Sequence, residues 1–205
     1  MPSPQSCPEP GGNTGLAKLA LRDQLLTARR RRPLTDVGAD ARSIAGHVLA
    51  ATEVRRSATV ACYVSVGTEP GTSELLDRLV GAGKRVVLPV LLPDNDLDWS
   101  VYRGPSSLAP AGRGLLEPAG ERLGPDAIAT ADVVLLPGMA VSPDGMRLGR
   151  GGGSYDRALA RVPVGTFTCV LLYADELGQD VPAEPHDRRV SAAATPDGVT
   201  RFTTG

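Results

Sequence analysis

Four glycines fall within the five residues Gly149-Arg150-Gly151-Gly152-Gly153, a density that neither a helix interior nor a strand interior tolerates. The segment has to be a loop, and its flanks say what kind. Upstream, Val133-Val134-Leu135-Leu136 is an apolar, β-branched run that reads as a buried strand ending in a turn at Pro137-Gly138. Downstream, about Tyr155 to Arg161 reads as a short helix with Asp156 in its first turn. A strand, a glycine loop and a helix start in that order offer backbone N–H groups and the positive end of a helix dipole to an anion. Arg147, Arg150 and Arg157 add guanidinium groups, with Tyr155 and Asp156 beside them, so the loop reads as a phosphate cradle. A turn that merely needs unusual backbone angles is the plain alternative. Two nucleotide motifs are excluded: Gly149-x-Gly151-x-x-Ser154 lacks the third glycine of the dinucleotide fingerprint, and no G-x-x-x-x-G-K-[ST] string occurs.

With 205 residues, 41% of them hydrophobic, the chain can bury one substantial core. The expectation is one domain over 16–205 behind a disordered Pro/Gly/Ser-rich lead at 1–15. A formal net charge of −1 argues against a general nucleic-acid binder. The three cysteines are an odd count, and Cys62 and Cys169 sit in apolar strand-like runs, so core thiols in a reducing compartment are expected rather than disulfides. With no apolar run of spanning length and no signal-peptide pattern at the start, a cytoplasmic protein with no membrane partner is expected.

Leu16, Leu19, Ala20, Leu25 and Leu26 recur at helical spacing up to about Arg32, and Pro33 ends the run. Lys18 and Arg22 are four apart on this helix and Arg29 comes round to nearly the same side, making a cationic stripe that a solvated face explains equally well. A second helix spans about Asp36 to Arg55 with Thr35 or Asp36 as cap, and carries His47 with no acid or cysteine near it in sequence. Ala58–Val66 reads as a strand, Thr72 or Ser73 caps a helix that Gly83 closes, and Lys84–Leu91 reads as the next strand. That β-α-β unit implies a parallel sheet. Glu69 then stands at a strand's carboxyl end, where ligands gather in such sheets, with an ordinary loop carboxylate as the alternative. Residues 93–124 read as a long loop with one strand near Trp99–Tyr102, its tryptophan either stacking on a flat ring or plugging the core. Strand-like runs at Thr166–Tyr173 and Val190–Thr195 complete a single-domain, three-layer α/β/α architecture with an open, mainly parallel sheet flanked by helices.

Pro137-Gly138-x-Ala140 followed by Gly145-x-Arg147-Leu148-Gly149-x-Gly151-Gly152-Gly153-x-Tyr155-Asp156-Arg157 resembles the signature of the 5-formyltetrahydrofolate cyclo-ligase family. Lys18-x-x-Leu21-Arg22, Tyr63 and Glu69, Glu117-Pro118, and Pro182-x-Glu184-x-His186-Asp187 follow in the family's order, so the resemblance covers roughly 16–197.

The resemblance implies ATP-dependent, Mg²⁺-requiring cyclisation of 5-formyltetrahydrofolate to 5,10-methenyltetrahydrofolate, with ADP and phosphate released. The nucleophile would be folate N10, which accounts for the absence of a Ser/His/Asp set. By motif position it implies that Lys18, Arg22 and Arg147, with Leu148, Gly149, Arg150, Gly151, Gly152, Gly153, Ser154 and Tyr155, bind ATP. Arg147, Lys18 and Tyr155 are the expected catalytic residues, Glu69 with Arg150–Ser154 the substrate contacts, and Asp156 and Asp187 the metal ligands. Ser154 departs from the aromatic residue common at its place, and Asp175-Glu176 lie near a frequent glutamine, putting an acid beside the expected metal. The expected partners are ATP and the folate substrate, bound by a monomer. A non-catalytic nucleotide- or folate-binding module, or a sugar-phosphate enzyme on a related scaffold, remain as alternatives.

Overall fold

The computed structural model describes residues 11–203. Its first helix, α1 (Gly11–Arg30), starts earlier than expected, so residues 11–15 of the expected disordered lead are helical; the rest of that lead lies outside the described residues. Next comes α2 (Leu34–Ala50), which starts from Pro33 without a side-chain cap, since the Thr35 hydroxyl turns to the Asp36 carboxylate. The single helix expected over 36–55 is interrupted at Ala51, whose extended backbone separates α2 from the short α3 (Thr52–Arg56).

The central sheet contains β1 (Thr59–Ala61), β2 (Arg85–Leu91), β3 (Leu97–Val101), β6 (Val133–Pro137), β9 (Phe167–Leu171), β10 (Ala192–Thr195) and β11 (Gly198–Arg201) in the spatial order β11-β10-β9-β6-β1-β2-β3. All pairs from β10 to β2 are parallel, and the two edge strands β3 and β11 run antiparallel to their neighbours. The sheet is thus mainly parallel, as expected, although β11 was not anticipated. Residues 93–124 hold more order than a loop: besides β3, a two-stranded ribbon pairs β4 (Leu108–Pro110) with β5 (Leu116–Pro118).

Strands of a doubly covered sheet send alternate residues to opposite cores. Val133 and Leu135 of β6 join one cluster with Val60, Val86 and Leu171, against Ile44, Val48, Leu75, Leu76 and Leu79 of α2 and α4 (Ser73–Gly81). Val134 and Leu136 face the other way, with Ala61, Val87, Val170 and Trp99, against Ile128 and the α5 (Ser154–Leu159) residues Ala158 and Leu159. Trp99 is 1% exposed, so of its two readings the core plug is the one observed. Gly83, at φ +77°, ends α4 in the left-handed turn expected of it, with the Lys84 N–H donating to the Leu79 carbonyl and the Gly83 N–H to that of Val80. Cys62 and Cys169 are buried free thiols, each pushed up to about 12 by burial and therefore inert at neutral pH.

From β1 the chain crosses to β2 on one side, whereas β6 leads to β9 and β10 on the other. The order reverses between β1 and β6, and the carboxyl ends of those two strands are where such a sheet leaves a crevice.

Candidate active site

A cavity of about 420 Å³ lies at that crevice. Tyr63, Val64 and Val66 beyond β1, Pro89 and Leu91 of β2, and Pro137 and Gly138 at the end of β6 form its floor. Thr72 holds the first of these segments in place, its hydroxyl donating to the Tyr63 carbonyl and accepting from the Ser65 N–H. Leu91, Leu97, Leu115 and Leu116 give the lining an apolar part. A polar part is contributed by α1, the glycine loop and the segment 184–187.

Lys18 and Arg22 both turn inward from α1, so the cationic stripe is not a solvated face. Lys18 is 4% exposed, with Nζ at 2.5 Å from both Glu184 Oε2 and Asp187 Oδ2. Burial works against its charge, but hydrogen bonds to and charges of Asp187 and Glu184 outweigh it and hold the ammonium above the usual lysine value. Burial also opposes Asp187, which Lys18 and the Glu184 N–H nonetheless hold below the ordinary carboxylate range. Arg22 Nε donates to the Gly149 carbonyl at 2.8 Å.

Arg147 sits on β8 (Arg147–Leu148), paired with β7 (Ala140–Val141) in a small hairpin after β6. It is 4% exposed, donates to Asp156 Oδ1 at 2.9 Å and to the Pro137 carbonyl at 3.2 Å, and its Nε is buried with no partner among the described residues. Tyr155 packs beneath, with the Arg147 guanidinium 6.0 Å from its ring centre, and burial raises its phenol well above the ordinary tyrosine value, so it stays a neutral donor. Tyr63, also at the cavity, is raised in the same way.

The glycine loop differs in detail from its reading in the sequence. Gly151 and Gly153 take the left-handed φ values of +98° and +68° that favour glycine, whereas Gly149 is needed for space: a Cβ there would lie 2.8 Å from Arg147 Nη1. The helix that follows has six residues, too short for a strong dipole, which removes the helix from the expected cradle. Gly152 and Ser154 line the cavity, and Leu148 reaches it with its side chain buried against Leu25 in a small cluster. Arg157 stays against the loop, donating to the Gly152 carbonyl at 3.4 Å and to the Asn95 carbonyl at 2.6 Å, but does not line the cavity.

Arg150 crosses from the loop to the floor, with Nε 3.2 Å from Glu69 Oε1 and Nη2 donating to the Val66 carbonyl. Glu69 is buried, and burial lifts its pKa above the usual carboxylate range despite Arg150, the Val66 N–H that it accepts, and Arg29.

Four cations (Lys18, Arg22, Arg147, Arg150) thus face the cavity against five carboxylates (Glu69, Glu117, Asp156, Glu184, Asp187). A polyphosphate entering such a lining needs a further positive charge. Donor atoms of Glu184, His186 and Asp187 lie within 4.8 Å of one another, and Arg147 engages one oxygen of Asp156, so carboxylates that suit a hard divalent cation are at hand. Glu184 was not singled out as a site residue from sequence, although its place three residues before Asp187 was the available signal. The expected acid beside the metal is not found at Glu176, which is 1% exposed in an ion pair with Arg29 and does not line the cavity; Asp175 pairs with Arg32 on the surface.

All the expected site residues, from Lys18 to Asp187, line this one cavity. A profile described as the 5-formyltetrahydrofolate cyclo-ligase family matches residues 15–196. The chain belongs to that family. Among cyclo-ligase family relatives, one named 5-formyltetrahydrofolate cyclo-ligase from Mycolicibacterium smegmatis is 40% identical over 185 residues, covering 88% of this chain and 94% of the relative. One of that name from Escherichia coli is 34% identical over 69% of this chain and 79% of its own length. The solved Aquifex aeolicus 5,10-methenyltetrahydrofolate synthetase superposes with a TM-score of 0.78 at 25% identity, covering 92% of this chain and 94% of that one. A Mycoplasma pneumoniae structure at 21% identity and TM-score 0.70, covering 87% of this chain and 98% of its own, shares the fold.

Proposed function

We propose that the protein uses ATP to cyclise 5-formyltetrahydrofolate to 5,10-methenyltetrahydrofolate, releasing ADP and phosphate. The observation that carries this reading is the juxtaposition, in one cavity, of a cationic glycine loop with a buried carboxylate and an apolar wall. The first suits a triphosphate, and the second and third suit a flat, donor-edged ring.

The bond changes belong to the substrates. The formyl oxygen takes the γ-phosphoryl group from ATP and ADP leaves; N10 then attacks the activated carbon and gives up its proton to solvent, and phosphate departs with the oxygen. Phosphoryl transfer asks a protein chiefly for position and charge compensation. Lys18 and Arg22 grip the phosphates from α1, Arg147 and the amides of 149–154 hold them from the opposite side, and Tyr155 supports Arg147 from below. Glu69 accepts hydrogen bonds from the pterin's donor edge, while Leu91, Leu115 and Leu116 cover the ring and exclude water. Asp187 and Asp156, with Glu184 near Asp187, are the carboxylates that would hold Mg²⁺. When bound, the ion supplies charge neutralisation between phosphate oxygens. The reading places one chain, as a monomer, in the cytoplasm; no helix among the described residues is long and apolar enough to cross a membrane.

The test is methenyl absorbance from the purified chain. A rise that requires ATP, Mg²⁺ and 5-formyltetrahydrofolate together is expected. No rise with all three present overturns the reading, and binding without product selects a non-catalytic module.

A further inference from the structure

We propose that Arg29, which lies outside the cavity, is a positioning residue that fixes the axial register of α1 and so sets where Lys18 and Arg22 stand. The inference rests on the reading of those two residues as the nucleotide grip.

Residues 18, 22, 25 and 29 are spaced four, three and four apart and therefore form one stripe along α1. The stripe faces inward: Lys18, Leu25 and Arg29 are each no more than 5% exposed, whereas Leu16 and Leu19 are 68% and 54% exposed. The apolar hold on α1 comes from Leu25, with the half-buried Leu21 and Leu26 beside it, against Met139, Met146, Leu148 and Val181. Such contacts are non-directional and let a helix slide or turn.

Arg29 is directional. Its Nε donates to Glu176 Oε1 at 2.6 Å, and its Nη2 to Glu176 Oε2 at 2.8 Å and to the Gly138 carbonyl at 2.7 Å. Glu176 is itself fixed, accepting from the Tyr173 N–H at 3.0 Å. Gly138 directly follows β6 and Glu176 lies in the turn after β9, so one guanidinium ties α1 to the ends of two central strands. Lys18 lies three turns, about 16 Å, away along the helix. A slip of one residue moves it by about 1.5 Å and turns it by about 100°.

The tethers at the cavity cannot perform this task during turnover. A phosphate that recruits Lys18 draws it from Glu184 and Asp187, and one that recruits Arg22 draws it from the Gly149 carbonyl. The Arg29 fork meets the cavity only through the backbone carbonyl of Gly138, which a ligand does not draw away, so it persists while the others exchange.

Calorimetric binding of ATP and of 5-formyltetrahydrofolate to the full chain separates this from a merely structural role. Removing Arg29 alone leaves Glu176 buried without a counter-ion, so the decisive variant is the double substitution Arg29→Met with Glu176→Leu, which keeps volume and leaves no orphaned charge. It is expected to fold with a somewhat lowered melting temperature, because the Gly138 carbonyl and the Tyr173 N–H lose their partners, and to lose affinity for ATP, by about tenfold or more, well beyond any loss for the folate, whose contact Glu69 feels the Arg29 charge. Arg29→Lys keeps the charge without the fork and is expected to lose ATP affinity to a smaller extent; it decides the matter if the double variant does not fold. ATP affinity at the parental level in the folded double variant overturns the inference, as does an equal loss for both ligands. Arg22→Ala is the reference: if it binds ATP normally, the nucleotide reading of α1 fails and takes the inference with it. If Arg22→Ala is weak and the Arg29 variants are not, the inference alone fails.

Discussion

Arg150 and Glu69, 81 residues apart, meet across the mouth of the cavity with Nε 3.2 Å from Oε1, so the glycine loop is fastened to the wall that is expected to receive the pterin. In the proposed reading, ring and guanidinium would compete for one carboxylate, and a folate that takes Glu69 would release Arg150 toward the phosphates, linking the two halves of the site.

Glu69→Gln exposes both sides of that arrangement. Loss of a charge-assisted hydrogen bond of about 1.5–3 kcal/mol lowers folate affinity roughly 10- to 150-fold, measurable by calorimetry. Stability moves the other way with pH. Because burial holds the folded pKa of Glu69 above 4.5, its contribution is full below that value and is lost as pH rises through the folded one. The melting-temperature difference should therefore shift in favour of the Gln variant as pH increases; the opposite slope would mean that Arg150 outweighs burial.

Asp187→Asn gives the reverse pH signature. Lys18 and the Glu184 N–H hold Asp187 below 3.8, so its stabilisation is present above 3.8 and is lost as pH falls through the folded value. At pH 7 the variant should lose about 2 kcal/mol, roughly 4–8 °C in Tm, and the gap should close in acid. A gap that does not narrow as the pH falls would remove the Lys18 pair as its cause.

Two glycines in the signature should behave differently. At Gly145, with φ +85°, an added Cβ would meet the Val190 carbonyl oxygen at 2.6 Å, so Gly145→Ala strains backbone against backbone and should cost roughly 2–4 kcal/mol. At Gly149 the clash is with the movable end of Arg147, so Gly149→Ala should fold normally and weaken ATP binding about tenfold. Thermal melts with nucleotide titrations check both, and a Gly149→Ala protein that binds ATP like the parent would detach Arg147 from the phosphates.

Asp156→Asn removes a carboxylate charge while keeping an acceptor for Arg147. Turnover should fall about 10- to 100-fold and recover in part at high Mg²⁺. Unchanged kinetics at limiting Mg²⁺ would place the metal elsewhere.

The sheet was legible because its strands carry the pattern of burial on both faces: Val133-Val134-Leu135-Leu136 offers alternate residues to two cores, and the observed strand matches it. The break at Ala51 was not legible, because 36–55 keep helical periodicity and only packing decides where the chain bends. Nor was the ribbon at 108–118, whose three-residue strands are too short to show alternation. In the site, the contiguous signature 145–157 announced itself, and Lys18 and Arg22 became readable only through the family pattern, since four-residue spacing fits a solvated face equally well. The buried partnership of Arg29 with Glu176 spans 147 residues and leaves no local trace.

Lys18 reaches its two acids over separations of 166 and 169 residues. On the ribosome the helix that bears the lysine is made long before Glu184 and Asp187 emerge, and until then its inward ammonium has no counter-ion. Contacts this distant close late in folding. The glycine loop is therefore made before the acids that pair with Lys18, and the lysine gains its counter-ions only when the far end of the polypeptide docks against the near one.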